Sequence, residues 1–277
     1  MRVQDTTGGG GAAAVDIRQS WAPSGSRLAL PSIADLGNYC VFLDLDGTLV
    51  EIEDRPDDVR VDVSTRQFIE RLRDKVGRAL ALVSGRDIHV VDRLLHPLTL
   101  PVAGVHGLQR RDAAGRLHTP IIDRRAVQSI AAQVEAAFSA EPGIVVEKKT
   151  GAVAIHFRLR PDFEKRCCAF ARQIVRDGPD LHLVKGKMVC EIRLNGNDKG
   201  AVIAAFLGER PFKGRKPIFA SDDAADEAGF AAVNARDGVS IKIGQGPTVA
   251  KFRAANVVEL RGWFDELLMP ARMVGIQ

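Results

Sequence analysis

CVFLDLDGTLVEI, residues 40–52, runs apolar for four residues and then sets two aspartates into the chain. Cys40, Val41, Phe42 and Leu43 predict a strand of a parallel sheet covered on both faces. Asp44 and Asp46 end it, and Gly47 and Thr48 follow. A carboxylate is costly to bury unless it is paired, protonated or bound to a cation. Two of them at one strand end therefore mark a site rather than a core. Residues two apart on a strand face the same way, so the pair shares a face as far as the strand persists before Gly47.

Outward from this stretch, strands and helices alternate. STRQFIERLRDKV (64–76), with Ser64 at its start, places Phe68, Ile69, Leu72 and Val76 on one helical face. ALALV (79–83) reads as a buried strand ending at SGR (84–86), with Asp87 placed to cap the next helix, and LPVAGVHG (100–107) as another strand. The pattern returns late: KGAVIAAFLG (199–208) helical, KPIFA (216–220) a strand, DDAADEAGFAAV (222–233) helical, VSIKIG (239–244) a strand. Such alternation predicts an α/β fold, a Rossmann-like core with a parallel sheet flanked by helices.

The middle of the chain has another rhythm. IVVEKK and AVAIHFRL flank Thr150-Gly151, a hairpin signal, and LHLVKGKMVCEIRL reads as a second hairpin around Lys185-Gly186, with the helical PDFEKRCCAFARQIV between them. Residues 109–194 are thus expected to form a smaller α+β cap inserted into a core of 37–108 and 195–277. Residues 1–36, with GGGGAAA and APSGS, are expected to be a disordered tail.

Composition narrows the function classes. The 277 residues suffice for two domains, and 45% hydrophobic with 27% charged residues is ordinary for a globular chain. No stretch approaches the roughly 20 apolar residues of a membrane span, and the N-terminus lacks the h-region and cleavage site of a secretory signal. A net charge of +4 and a single tyrosine argue against nucleic-acid binding but suit an anionic substrate. Cys40, Cys167, Cys168 and Cys190 contain no CxxC, which argues against a zinc site or disulfide framework and for a reducing, cytoplasmic setting. The oligomeric state is left open, with a monomer compatible.

In open α/β sheets ligands sit beyond the carboxyl ends of the strands. Asp44 and Asp46, Ser84, Lys199 just before its helix, and Asp222 with Asp223 all fall at such ends, and together would make a pocket of acids, a cation and a hydroxyl. DLDGT, VSGR, DKG and SDDAADE resemble, in order, the four motifs of the haloacid dehalogenase superfamily. More narrowly, LDLDGTLVEI, LALVSGR, VAGVHG, VEKKTGAVAIHFR, GKMVCEIR, DKGAVIAAF, DDAADEAGF and VSIKIGQGPT resemble the trehalose-6-phosphate phosphatase family. The resemblance runs from about residue 40 to 268. It implies Mg²⁺-dependent hydrolysis of trehalose 6-phosphate, a small-molecule substrate. It further implies Asp44 as nucleophile, Asp46 as acid and base, and Ser84 with Lys199 on the phosphoryl oxygens. Metal ligands would be Asp44, the main-chain carbonyl of Asp46, and Asp222. Asp223 and Asp226 would stand behind them, and Thr48 would position the loop.

In the cap, alternation puts Val153, Ile155, Phe157 and Leu159 on one face, and Met188, Cys190, Ile192 and Leu194 on another apolar face. Glu147 with Lys149, and Glu191, fall on polar faces, which read either as solubility or as binding. The resemblance assigns these three to the disaccharide. Arg86 reads as a helix-start surface charge or as a phosphate or sugar contact. His106 reads as structural or as a substrate contact, leaning to the latter, and His156 as a satisfied sheet histidine rather than a catalyst. Cys167 and Cys168 read as packing residues. The chain departs from the family pattern at Ser221 (usually Gly), Ala225 (usually Thr) and Leu194 (usually Pro), the last expected to loosen the cap exit. Two rivals remain: a phosphatase for another sugar phosphate, and a non-catalytic sugar-phosphate sensor.

Overall fold

The computed structural model describes residues 29–178, 180–194 and 198–269. In chain order the core opens with β1 (Tyr39–Leu43), α1 (Val63–Lys75), β2 (Leu80–Val83), α2 (Ile88–Leu95), β3 (Val102–Gly104), β4 (Gln109–Arg111) and β5 (Leu117–His118). The cap follows with α3 (Arg124–Phe138), β6 (Val145–Lys149), β7 (Ala152–His156), α4 (Glu164–Asp177), β8 (Leu181–Gly186) and β9 (Val189–Leu194). The chain returns to the core in α5 (Lys199–Leu207), β10 (Lys216–Ser221), α6 (Glu227–Asn234), β11 (Val239–Ile243), β12 (Phe252–Ala254) and α7 (Val257–Leu268).

The core sheet has eight strands in the order β12-β11-β10-β1-β2-β3-β4-β5. β12 through β3 run parallel, and β4 and β5 add an antiparallel edge. β1 sits in the middle with Val41, Phe42 and Leu43 inaccessible, as its unbroken apolar run requires. Beneath it Phe42, Phe206 and Phe212 form a buried aromatic triad with centroids 5.3–5.9 Å apart. This puts the carboxyl ends of β1, β2, β3 and β10 side by side, the arrangement that brings distant polar residues to one place.

The cap is a four-stranded antiparallel sheet, β6-β7-β9-β8. Val153, Ile155, Phe157, Cys190 and Ile192 are buried with residues of α3 and α4 in a second apolar core. Leu159 and Met188, expected on those apolar faces, are exposed because β7 ends at His156 and Met188 occupies a turn at φ 63°.

Several boundaries differ from expectation. The cap insertion leaves the large sheet after His118 rather than after Leu108, because residues 109–118 form the β4–β5 edge hairpin. The start of the expected tail, residues 1–28, lies outside the described residues. Its end does not dangle: Leu36 is buried, Leu30 and Ile33 pack on the core, and Trp263 Nε1 donates to the Pro31 carbonyl at 2.9 Å. Asp62, not Ser64, caps α1 by accepting from Thr65 N. The β8–β9 turn falls at Lys187-Met188, past the Lys185-Gly186 expected from glycine alone. Cys168 of α4 and Cys190 of β9 form a disulfide, which corrects the disulfide-free reading and removes the support it lent to a reducing compartment. The pairing is made by helix-on-sheet packing and leaves no CxxC signature. Among the described residues no helix is long and apolar enough to cross a membrane.

The aromatic triad predicts a stability effect. Phe206→Ala should lower the unfolding free energy by about 3–5 kcal/mol, measured by urea denaturation. A loss under about 1 kcal/mol would show that the triad does not carry the core packing assigned to it.

Candidate active site

Asp44 and Asp46 lie just beyond the carboxyl end of β1, on a tight loop closed by Gly47 N donating to Val50 O at 2.7 Å. They do not act as a matched pair. Asp44 turns inward: its Oδ1 accepts from Leu45 N at 2.8 Å, and its Oδ2 lies 3.3 Å from Lys199 Nζ. Asp46 turns to the cleft and is gripped by Arg86, whose Nε and Nη2 donate to its two oxygens at 2.7 and 2.9 Å. Arg86 is buried, so the surface-charge reading of this residue is excluded. Its guanidinium stays firmly charged: burial opposes this, but the bond to Asp46 and the surrounding carboxylates outweigh it.

Lys199, the first residue of α5, is almost inaccessible and bridges Asp44 to Asp226, with Nζ 2.7 Å from Asp226 Oδ2. Burial alone would discharge it, but Asp226 and Asp44 together push its pKa above the ordinary lysine range. Asp44 shows the opposite balance. Burial raises its carboxyl pKa well above normal, Lys199 pulls it back, and Asp226, Asp222 and Asp46 push it up again. Burial, with Asp223 beside it, likewise pushes Asp222 up to about 6. Asp44, Asp46, Asp222, Asp223 and Asp226 outnumber the cations that meet them, Lys199, Arg86, Lys187 and Lys242, and the cluster is short of positive charge.

That shortage bears on a metal. The donor set of Asp44, the Asp46 carbonyl and Asp222 consists of hard oxygens, which suit Mg²⁺. A Cβ at Gly47 would lie 2.4 Å from the Asp222 carboxyl, so the glycine at φ 72° lets that acid close over the loop. Among the described residues no three His, Cys, Asp or Glu side chains gather at metal-binding geometry.

Ser221, in place of the family's usual glycine, inserts a hydroxyl that bonds Asp226 and lies 3.3 Å from Asp44 Oδ2. Ser84 is fully buried and accepts from Arg86 N at 3.1 Å, while its neighbour Gly85 lines the cleft. Thr48 is buried behind the loop, with its hydroxyl unpartnered in the structure. Asp223 lies in the cleft and caps the following turn through Ala225 N.

The cap supplies the other wall. Glu147 and Lys149 of β6 and Glu191 of β9 line the same cleft as Asp44, Asp46, Lys199 and Asp222. Lys149 Nζ sits 2.6 Å from Glu191 Oε2 and 3.7 Å from Glu147 Oε2, and His156 Nε2 lies 2.8 Å from the latter. Burial opposes charge on all three, yet the opposite charges win: Lys149 is raised, Glu191 is lowered, and Glu147 is lowered to about 2. Glu191 Oε1 is buried and has no hydrogen-bond partner. His106, at φ 54° after β3, sits 3.7 Å from it and is neutral at pH 7, burial holding its pKa near about 4. A Cβ on Gly85 would collide with the His106 ring at 2.6 Å, which explains the glycine of SGR.

Three basic residues at or behind the cleft escaped the reading of the sequence. Lys187, at the β8–β9 tip, reaches to 3.9 Å from Asp222 Oδ2, and Arg158 joins the cap wall. Lys242 of β11, buried just behind the acids, donates to the Asp222 carbonyl. A lysine inside the apolar run VSIKIG was the signal for the last; the first two sit within segments noted only as hairpin.

The chain matches the family model described as trehalose-phosphatase over residues 42–258. It is 41% identical over 227 residues to the trehalose-6-phosphate phosphatase of Escherichia coli (strain K12), covering 82% of this chain and 85% of that relative. To a probable trehalose-phosphate phosphatase of Sinorhizobium fredii (strain NBRC 101917 / NGR234) it is 42% identical over 211 residues, covering 76% and 79%. A crystal structure of a trehalose-6-phosphate phosphatase related protein superposes with a TM-score of 0.70 at 31% identity, covering 83% of this chain and 97% of that one. A haloacid dehalogenase-like hydrolase from B. subtilis, at 14% identity and a TM-score of 0.59 over 82% and 99%, shares the fold. With strand-end acids, a buried lysine and a capped cleft in one molecule, this chain belongs to the trehalose-phosphatase family, enzymes that hydrolyse a phosphoric monoester.

Proposed function

We propose that the chain hydrolyses trehalose 6-phosphate to trehalose and phosphate, with Mg²⁺, through an aspartyl-phosphate on Asp44, completing trehalose synthesis. The observation that carries this reading is one cleft lined on the core side by Asp44, Asp46, Lys199 and Asp222 and on the cap side by Glu147, Lys149 and Glu191.

Phosphate monoester dianions repel nucleophiles, and their uncatalysed hydrolysis is among the slowest known reactions. Asp44 attacks phosphorus, which splits one hard displacement into two easier ones. Lys199, held rigid between Asp44 and Asp226, places its ammonium beside the attacking oxygen and takes up charge on the phosphoryl group. The backbone at Gly85, which lines the cleft, completes the phosphoryl cradle, and Ser84, buried behind it, holds that segment through Arg86 N. Asp44, the Asp46 carbonyl and Asp222 would hold Mg²⁺, which when bound would supply the remaining charge neutralisation.

Asp46 handles the proton. Paired with Arg86 it is a fixed carboxylate. A phosphate dianion competes for that guanidinium; the carboxylate it releases takes a proton from solvent, gives it to the leaving sugar oxygen and, a carboxylate again, deprotonates the attacking water. Asp226 anchors Lys199 from behind, while Thr48 and Asp223 support the loops that carry the acids. In the cap, two carboxylates and an ammonium offer acceptors and donors to sugar hydroxyls, and the unpartnered Glu191 Oε1 has capacity to spare. His106, being neutral, both donates and accepts within the same wall.

Phosphate release should be measured across a panel of sugar phosphates with Mg²⁺ and with chelator. Trehalose 6-phosphate is expected to lead the panel, chelator to abolish turnover, and Asp44→Asn to cut kcat at least about 10³-fold. Asp44→Asn activity within about tenfold of wild type would overturn the mechanism.

Glu191→Ala separates the two walls. It should lower kcat/KM for trehalose 6-phosphate roughly 10–100-fold and leave p-nitrophenyl phosphate hydrolysis within about threefold. Equal losses on both substrates would contradict a sugar-binding role.

A further inference from the structure

Asp87 follows Arg86 and stands at the N-cap of α2, yet its side chain makes no capping bond to that helix. It is 5% exposed, and both its oxygens point across to the cap, accepting from Thr150 N at 3.2 and 3.1 Å. Thr150 is the turn residue after Lys149, in the hairpin that carries Glu147 and Lys149. The first amide of α2, Ile88 N, donates instead to Gln109 Oε1 at 3.0 Å, and a buried carboxylate that leaves its own helix to another cap and binds one amide 63 residues away serves that amide.

The neighbourhood makes this turn an anchor point. Gly151, at φ 75°, is seated so closely on the core that a Cβ would lie 2.3 Å from Leu108 Cδ2. Val105 and Leu108 of the core and Ala152 of the cap form a small apolar cluster of their own. The Gly151 carbonyl accepts from Leu194 N at 2.9 Å, which ties β9, the strand of Glu191, to the same turn. Consecutive residues of the SGRD segment therefore grip opposite walls: Arg86 holds Asp46 of the core, and Asp87 holds the cap turn beside Lys149.

The geometry points to Asp87 as a positioning residue that docks the Thr150 turn on the core and so sets where Glu147, Lys149 and Glu191 stand relative to the phosphoryl-transfer centre. It touches neither phosphate nor sugar. Without it, Lys149 and its partners lose their register over the core, while Asp44, Asp46 and Lys199, held by core contacts alone, keep theirs. The inference deepens the trehalose-6-phosphatase reading and rests on it for the substrate used.

The test compares wild type, Asp87→Ala and Asp87→Asn on trehalose 6-phosphate and on p-nitrophenyl phosphate, with amide hydrogen exchange of the same proteins. Asp87→Ala is expected to raise KM for trehalose 6-phosphate about tenfold with kcat changed less than about threefold. Hydrolysis of p-nitrophenyl phosphate should stay within about twofold. Asp87→Asn, which keeps one acceptor oxygen, should recover most of the loss. Exchange of the peptide spanning residues 149–152 should accelerate in Asp87→Ala while β1 and β10 stay protected. Parallel loss on both substrates, an unchanged KM for the disaccharide, or unaltered exchange at 149–152 would each overturn the assignment. Wild-type protein inert toward trehalose 6-phosphate would instead count against the substrate reading, and hydrogen exchange would still judge the docking role.

Discussion

The buried ammonium of Lys199 is the charge around which the rest of the site is arranged. Asp44 comes from the end of β1, Asp226 from the turn after β10, and Asp222 and Asp46 close in from either side. Left to themselves these carboxylates would repel one another or hold protons, and the raised pKa of Asp44 and Asp222 records that pressure. Removing one partner from a buried ion pair typically costs about 3–5 kcal/mol, because the other charge is left uncompensated. Lys199 thus serves folding and chemistry together: it makes the acid cluster tolerable, and it leaves the cluster still short of positive charge. In the proposed reaction a divalent cation and a phosphoryl group would meet that shortage.

The parallel sheet delivers this convergence. β10 and β2 flank β1 in register, so the segments that follow each of them open at one edge. The apolar character of those strands supplies rigidity, since an inaccessible strand with its hydrogen bonds made on both sides has few ways to move. The cap meets the core at two separate places. At the β8–β9 tip, Lys187 approaches Asp222, and Gly186 is packed so tightly that a Cβ would come within 2.6 Å of Asp223 Oδ2. At the β6–β7 turn, Thr150 meets Asp87. The cleft lies between these contacts, with Asp44, Asp46, Lys199 and Asp222 on the core side and Glu147, Lys149 and Glu191 on the cap side.

Much of this was legible in the sequence where the signal is local. The apolar runs at 40–43, 79–83, 216–220 and 239–243 announce buried strands because runs so short and apolar suit little else. Asp44, Asp46 and Asp222 stood out because charges just past such runs need a reason, and Lys199 because it opens an apolar helix. What stayed hidden depends on distant partners. No periodicity pairs Cys168 with Cys190 or aims Asp87 away from its own helix. The edge strands 109–111 and 117–118 are too short to carry a pattern, and Leu30, Ile33 and Leu36 were masked by the low-complexity stretch before them. Leu194 is instructive: in place of the usual proline it brings an N–H, and that N–H binds Gly151 and tightens the exit it was expected to loosen. Ser221 similarly exchanges backbone space for a hydroxyl between two acids.

The central claim is a division of labour between two aspartates that one strand end sets side by side: Asp44, beside Lys199, attacks, and Asp46, beside Arg86, moves the proton. Rapid acid quench of the enzyme turning over trehalose 6-phosphate, followed by peptide mapping of any covalent phosphate, tests it most directly. The account predicts a phosphorylated peptide with the group on Asp44, accumulating further in Asp46→Asn, where release by water is slowed. Phosphate mapped to Asp46, or turnover with no covalent phosphate in either protein, would contradict it.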